Sequence, residues 1–336
     1  MRQPALALRW LAAATILSAA SWIAPVHAAD YTMKIGLGTM NDIQHQWANW
    51  MKEGIEARSK GRIEVKVFPR NQLGTIASQI EGLQLGTVEA FIAPADFFAG
   101  VDPRFGVFSI PLLFKNPAQA EKVLLDPGTN EAIMGLGADK NLQVVSVTTY
   151  AFAHYFGKEP LRTLDDFKGK KLRVNATDAE RAKMRAFGAT AVPMDLGEVV
   201  PGLRQGVIDG TMSATAVYVI FKFYDIAKVL TEVDDTMIVS TGAVSRPWLA
   251  KLPPDLRQIV IEEGAKLQPR TMARSRELDA GMRKKWAEVG GSFVKLPAAD
   301  QAKVRSLLAH IGDDVTKGNP AVSSFYKQLK STSAKY

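Results

Sequence analysis

The sequence predicts an α/β fold, and three segments support this prediction. Strand and helix patterns alternate from residue 31 to residue 93, and a second alternating unit runs from Asp166 to Gly210. Between Pro254 and about Val289 the chain carries one long, strongly charged helical pattern. Alternating strands and helices indicate a mostly parallel sheet with helices packed on its faces. With 336 residues, the chain is expected to form two lobes rather than one.

The first unit has a β-α-β-α-β order. Asn41 or Asp42 can cap its first helix, whose apolar residues recur with helical spacing. The segment R-I-E-V-K-V-F alternates between polar and apolar residues, as a half-buried strand does. In order, we expect strand Tyr31–Leu37, a helix to about Ser59, strand Arg62–Phe68, a helix ending near Gly86 and strand Val88–Ala93.

The second unit is a strand carrying Arg173, a helix ended by Gly188, a strand at Thr190–Met194, a helix from Asp195 to Gly206, and a strand that begins at Val207. Asp195 and Glu198 have the spacing of a capping box. Pro201 falls inside the second helix, so the helix either starts later, with Pro201 in its first turn, or is kinked.

The remaining elements connect these units. We expect a helix near Ala118–Leu125 and a strand at Leu142–Thr149 that crosses to the second lobe. The long helix from Pro254 can brace both lobes, with Pro269 tolerated at a kink.

The N-terminus has the pattern of a signal peptide. Arg2 and Arg9 precede the apolar run Leu11–Ile23, and Val26-His27-Ala28 fits a cleavage site. We therefore expect residues 1–28 to be removed and the mature protein to be soluble in the periplasm. An uncleaved membrane anchor is the alternative.

Composition excludes several function classes. The chain has no cysteine and a formal charge of +8, but its basic residues are scattered among acidic ones, which disfavours nucleic-acid binding. After residue 28 the histidines are His45, His154 and His310, and no nucleophile, zinc-protease or phosphate-loop motif is present. We expect no enzyme, although paired carboxylates keep that alternative open.

Four motifs together resemble a known family. They are G-R-I-E-V-K-V-F-P-R-N-Q-L-G at Gly61–Gly74, I-P-L-L-F at Ile110–Phe114, D-F-K-G-K-K-L-R-V at Asp166–Val174 and E-V-V-P-G-L-R-Q-G-V-I-D-G at Glu198–Gly210. Their order and spacing are similar to those of the solute-binding subunits of tripartite ATP-independent periplasmic (TRAP) transporters, of the dicarboxylate type.

The resemblance implies a two-lobed, type II-like periplasmic binding protein, with a mixed, mostly parallel sheet in each lobe. Such a protein closes on an organic acid and delivers it to a small and a large membrane subunit. Lobe one is expected to comprise residues 30–150 and 239–278, and lobe two residues 151–238 and 279–336. A receptor for a sensor or for another transporter class is the alternative function.

Arg173 occupies the position of the ligand-binding arginine in this family. A guanidinium offers two parallel N–H donors to a carboxylate, which lysine does not. From the charge pattern alone, Lys170, Lys171 and Arg173 could equally form a solvated basic edge.

Other family positions differ here from their usual polar forms. Ala153 replaces a second arginine, and the adjacent His154 is a candidate replacement contact or an ordinary core-edge histidine. Ser213 stands where the family often has asparagine. Because Thr211 and Met212 follow the D-G pair, we predict no metal ion, and we predict no cofactor.

The remaining candidates describe the body of the ligand. Positions near the cleft that lack charge, together with an amide and aromatic residues that could line it, are Gly38, Ala93, Pro94, Leu196, Asn175, Tyr150, Phe152 and Tyr218. Ordinary packing explains each of the apolar ones equally well. Together they predict a monocarboxylate with an apolar or aromatic tail, with a sugar acid, keto acid or dicarboxylate as alternatives.

Overall fold

A computed structural model describes residues 29–175 and 177–336. The predicted signal peptide, residues 1–28, lies outside the described residues. Within them, no helix combines the length and the apolar character needed to cross a membrane.

The strands and helices alternate along most of the chain. The strands are β1 (Tyr31–Leu37), β2 (Ile63–Phe68), β3 (Ala90–Pro94), β4 (Leu142–Gly157), β5 (Lys171–Val174), β6 (Thr190–Pro193), β7 (Gly210–Ser213), β8 (Val229–Ser245) and β9 (Ser292–Lys295). The helices are α1 (Ile43–Arg58), α2 (Ile76–Leu85), α3 (Pro117–Leu125), α4 (Pro127–Met134), α5 (Asp178–Ala186), α6 (Val199–Gln205), α7 (Thr215–Ile220), α8 (Arg246–Leu249), α9 (Pro254–Glu288), α10 (Ala298–Leu308), α11 (Ile311–Thr316) and α12 (Pro320–Lys335). Short 3₁₀ helices include Ala95–Gly100, Pro103–Ser109 and Leu196–Glu198.

The strands pair in the order β2-β1-β3-β8-β4-β7-β5-β6, and β9 pairs with β8. Pairing is parallel within β2-β1-β3 and within β7-β5-β6, and antiparallel where β8 and β4 join these two groups. The two predicted parallel units are therefore confirmed as the two ends of a two-lobed, mixed α/β structure.

Strand β4 is longer than predicted. The expected strand ended at Thr149, but β4 continues to Gly157 alongside β8. The ladder accommodates this length through register shifts, including those at Thr149/Ala151 and Phe152/His154. Both long strands therefore carry backbone from one parallel unit to the other.

The long helix α9 is confirmed, and it continues through Pro269. It packs against α1, β4 and α7, and Gly264 lies so close to Val145 that a Cβ at this position would be 2.5 Å from the Val145 Cβ. Arg58 of α1 pairs with buried Glu263 of α9 at 2.9 Å. Close packing and this ion pair fix α9 across both long strands.

The structure resolves the alternatives for Pro201. Asp195 and Glu198 form the predicted capping box, and the α-helix starts at Val199, which places Pro201 in the first turn. The prediction of a strand from Val207 was wrong, because the backbone N–H of Val207 bonds to Gly202 O at the helix end and the strand begins at Gly210.

The C-terminal helix α12 packs against the first half of the chain. Phe325 makes an edge contact with Phe108, and Ser333 donates to the carbonyl of Leu113 at 3.0 Å. These contacts cross the boundary that a simple lobe assignment would draw. The division into residues 30–150 with 239–278 and 151–238 with 279–336 stays a prediction.

Candidate functional site

Arg173 lies in the middle of β5, between β7 and β6. Its backbone is in register with Thr211 on one side and Val192 on the other. Its Nε donates a hydrogen bond of 2.9 Å to the carbonyl of Met194, just after β6. Because the strand and this carbonyl both orient the side chain, the guanidinium is held in place before any ligand arrives.

The guanidinium is buried and lacks a counter-ion in contact. Arg173 is 3% exposed, and no carboxylate among the described residues lies within 4.0 Å of it. Its Nη2 atom has no hydrogen-bond partner. Burial lowers the pKa of Arg173, while the charges of Glu180, Asp96 and Asp195 act in the opposite direction. A buried charge normally has a direct partner, and this guanidinium has the donors that an anion would need.

Glu180 organises the loop after Arg173. Its carboxylate accepts hydrogen bonds from the backbone N–H groups of Asn175 and Thr177 and from the Thr177 hydroxyl, and it is fully buried. Thr177 in return caps α5. Because these bonds occupy the Glu180 carboxylate, it does not contact the Arg173 guanidinium and stabilises that charge only through longer-range electrostatics.

A second carboxyl group stands beside the arginine. Asp96 follows β3, and its Oδ2 accepts a hydrogen bond of 3.1 Å from Nδ2 of Asn175. Its Oδ1 is buried without a partner, as is Oδ1 of Asn175. Burial and the charge of Glu180 raise the pKa of Asp96 to about 7, against the opposing effects of Asn175 and Arg173.

Arg173, Asp96 and Asn175 line a pocket whose other walls are mostly apolar. Further polar side chains in those walls are Thr39, Gln44, Ser109, Ser213 and Thr236. The pocket opens to solvent, and the volume within it that the centre of a water-sized molecule can occupy is about 50 Å³. The lining side chains that carry no charge and lie around the polar group include Ile76, Phe97, Phe108, Leu196, Met212, Val217, Met237, Ile238 and Val239.

The structure brings most of the predicted site residues together here. The pocket is lined by Gly38, Ala93, Pro94, Tyr150, Arg173, Asn175, Leu196 and Ser213. Tyr150 offers its ring more than its hydroxyl, since the hydroxyl donates to Asp42 at 2.7 Å. Arg173 therefore lies beside the residues that the sequence placed near it.

Three predicted residues do not line this pocket. Tyr218 is fully buried, stacks on Phe156 and donates its hydroxyl to the carbonyl of His154 at 2.7 Å. Phe152 and His154 line a separate pocket with Arg283 of α9. Tyr150 lines that second pocket as well, so it lies between the two pockets, whereas Phe152 and His154 lie further along β4 and line only the second.

His154 is a buried, structural histidine. It is 3% exposed, its Nε2 lies 3.1 Å from Nη1 of Arg283, and Arg283 pairs with Glu232 at 2.5 Å. Burial and the positive charge of Arg283 lower the pKa of His154 to about 4, although Glu232 and Asp235 act in the opposite direction. The imidazole is therefore neutral at pH 7.

Replacing His154 with glutamine should reduce the acid sensitivity of the fold without changing ligand affinity. The pKa is about 4 in the folded state and about 6.5 in the unfolded chain, so the unfolded state binds more protons between these values. Stability should therefore fall as pH drops from 6.5 to 4, by at most about 1.4 kcal/mol per unit. Urea unfolding at both pH values measures this.

The control is His310→Gln, at an exposed position, which should keep the parent's acid sensitivity. Equal loss of stability on acidification in His154→Gln and the parent would contradict the assignment of His154 as a buried neutral group.

Sequence reasoning missed Asp96 and the pocket residues of β8. Asp96 stands directly after a predicted strand, and the carboxyl ends of parallel strands commonly carry ligand contacts. That position could have identified Asp96. The pocket segment Thr236–Val239 has no comparable sequence pattern, because its place depends on the antiparallel return of β8 beside β4.

Comparisons with known proteins agree with this geometry. A family model described as bacterial extracellular solute-binding protein, family 7, matches residues 37–318. The 2,3-diketo-L-gulonate-binding periplasmic protein of Escherichia coli K12 is 26% identical over 267 residues, which cover 78% of this chain and 81% of that protein. A C4-dicarboxylate-binding periplasmic protein of Rhodobacter capsulatus is 28% identical over 216 residues, which cover 61% of this chain and 62% of that protein.

Solved structures share the fold. A TRAP periplasmic solute-binding protein from Desulfovibrio salexigens with bound orotic acid superposes with a TM-score of 0.84 at 23% identity, over 91% of this chain and 99% of that one. A TRAP periplasmic solute-binding protein from Haemophilus influenzae with bound L-gulonate gives a TM-score of 0.84 at 24% identity, over 90% and 99% of the two chains.

Proposed function

The chain belongs to family 7 of the bacterial extracellular solute-binding proteins, which includes TRAP periplasmic receptors, and from this we propose that it captures a monocarboxylate with an apolar or aromatic tail. It would deliver this acid from the periplasm to the small and large membrane subunits of a TRAP transporter. The proposal goes beyond family membership in naming the ligand class and the partners.

One observation carries the proposal: Arg173 is a buried guanidinium with a free Nη2 donor and no carboxylate in contact. A carboxylate can supply the missing negative charge and accept from the unused donor. The same pocket provides one arginine and no second basic side chain among the described residues that line it. This count favours one carboxylate group over two.

The walls of the pocket support an apolar tail. Phe97, Phe108 and Met237 form an apolar surface beside Arg173. Gln44 and Ser109 also line the pocket, but they already bond to Ser240 and Gly106. A ligand with many hydroxyl groups would therefore lose hydrogen bonds to water and recover only some of them. An apolar or aromatic tail would bury its surface there with a gain in free energy.

A thermal-shift panel tests the ligand class. We expect 3-phenylpropionate and hexanoate to stabilise the protein, and L-gulonate, D-galacturonate and succinate to have little effect. A ligand at 100 times its Kd adds about 2.7 kcal/mol to the stability of the folded state. 3-Phenylpropionamide, which lacks the charge, is the matched control and should not stabilise. Stabilisation by the polyhydroxy acids or succinate alone would contradict the proposed ligand class.

A further inference from the structure

Three polar atoms of Arg173 and its neighbours lack hydrogen-bond partners within the described part of the chain. They are Nη2 of Arg173, Oδ1 of Asp96 and Oδ1 of Asn175. The first is a donor and suits a carboxylate, but the other two are acceptors. A carboxylate bound at Arg173 would therefore leave the acceptor oxygens of Asp96 and Asn175 without donors, unless a proton was bound together with the ligand.

The charges point to the same need. Arg173 carries one positive charge, and the carboxyl groups of Glu180, Asp96 and Asp195 all act on it. Even if only Glu180 and Asp96 are counted, both ionised, the three groups already have one net negative charge. A bound carboxylate would raise this to two, in a pocket with apolar walls where such repulsion is strong.

We propose that Asp96 takes up a proton from the solvent when the ligand's carboxylate binds to Arg173, and that the resulting O–H of Asp96 donates a hydrogen bond to that carboxylate. Proton uptake removes the excess negative charge and turns an unused acceptor into a donor. An O–H donor to a carboxylate forms a short, charge-assisted bond. The inference rests on the proposed function only in that the ligand is an anionic acid bound at Arg173.

The groups facing Asp96 set the pH range. Arg173 acts on it from β5, Asn175 from the residue after β5, and Glu180 from α5. Asp195 and Tyr218 act on Arg173. Because the pKa of Asp96 is raised to about 7, the ligand-free group is mostly ionised at pH 8 and mostly protonated at pH 6. Affinity should be constant below pH 7 and fall up to about tenfold per unit above it.

The first experiment is calorimetry of 3-phenylpropionate and of L-gulonate at pH 8, in phosphate and in Tris, whose ionisation enthalpies differ. We expect uptake of about 0.9 proton per ligand bound, from the ionised fraction at one unit above the pKa. The variant Asp96→Asn mimics the neutral acid. It should bind without proton uptake, and its affinity should not change between pH 6 and pH 8.5. The control Asp178→Asn, at an exposed position on α5, should keep the uptake.

The outcomes separate the two proposals. Proton uptake with L-gulonate and no binding of 3-phenylpropionate would support the role of Asp96 and contradict the apolar-tailed ligand class. Binding of 3-phenylpropionate without proton uptake would overturn the role of Asp96 and leave the ligand class standing. Binding that takes up no proton and is lost in Asp96→Asn would overturn the proposal. It would indicate that an ionised Asp96 accepts a hydrogen bond from a donor group on the ligand.

A second experiment needs no ligand. A ¹³C NMR titration of the Asp96 carboxyl group, identified by its absence in Asp96→Asn, should give a midpoint near pH 7 in the free protein. A midpoint near 4, the ordinary value for aspartate, would overturn the proposal, because Asp96 would then be far from its pKa and remain ionised between pH 6 and pH 8.

Discussion

Replacing Arg173 with alanine should weaken binding of the acid ligand by roughly 30-fold to several thousand-fold. Loss of one partner from a desolvated charge pair costs about 2–5 kcal/mol, and each 1.4 kcal/mol is about a tenfold change in affinity. The guanidinium is 3% exposed and has no carboxylate within contact, so the ligand's carboxylate would be its direct partner. Calorimetry with the acid that stabilises the parent best measures the change.

Loss of the positive charge should not destabilise the fold by a similar amount. In the free protein a buried charge without a direct partner is unfavourable, so Arg173→Met, which removes the charge and keeps most of the volume, should unfold at the same or a higher temperature than the parent. Lys171→Ala, which removes an exposed positive charge from the same strand, is the control and should bind normally. Parent-like affinity in Arg173→Ala would contradict the assignment of the anchor.

Lys183→Met should have the largest effect on stability, about 3–5 kcal/mol lost. Lys183 on α5 and Asp235 on β8 are both fully buried and lie 2.9 Å apart. Lys183 also donates to Thr236 at 2.8 Å, and Tyr155 donates to Asp235 at 2.9 Å. Removal of the lysine leaves Asp235 as an uncompensated buried charge. Urea unfolding of the two proteins measures the difference.

Two variants provide the comparison. Lys183→Met with Asp235→Asn removes both charges and should recover most of the lost stability. Lys168→Met breaks an exposed pair with Asp165, whose charged atoms lie 2.8 Å apart, and should cost at most about 1 kcal/mol. If the Lys183 and Lys168 variants lost equal stability, burial would not be the source of the effect. Because Thr236 lines the ligand pocket, Lys183→Met should also weaken binding.

Local sequence patterns were sufficient to predict the strand and helices around Arg173. The strand with Arg173, the helix that Thr177 caps and the capping box at Asp195 were all predictable, since each depends on residues within a few positions of one another. The position of Arg173 beside Asn175 and Leu196 followed from the motif order. For these residues the sequence pattern and the tertiary fold agree.

Contacts made across the sheet were less predictable. Asp96 meets Asn175 across 79 positions of the chain, and only the assembled sheet brings them together. Phe152 and His154 line a second pocket that Tyr150 shares, and the sequence pattern of β4 does not indicate where one pocket ends and the other begins. The length of β4 depends equally on its partner β8, whose place the sequence did not predict.

The packing of α12 has a consequence for how the molecule is made. Phe325 and Leu329 belong to the same apolar core as Ile76 and Phe91. Residues near the start of the fold therefore pack against residues that are synthesised some 230 positions later. A nascent chain that ends before residue 320 exposes this unfinished surface to water and to other chains. The apolar surface of its first half should therefore remain accessible to chaperones until α12 has been synthesised. The native state should form only after that point, in one cooperative step.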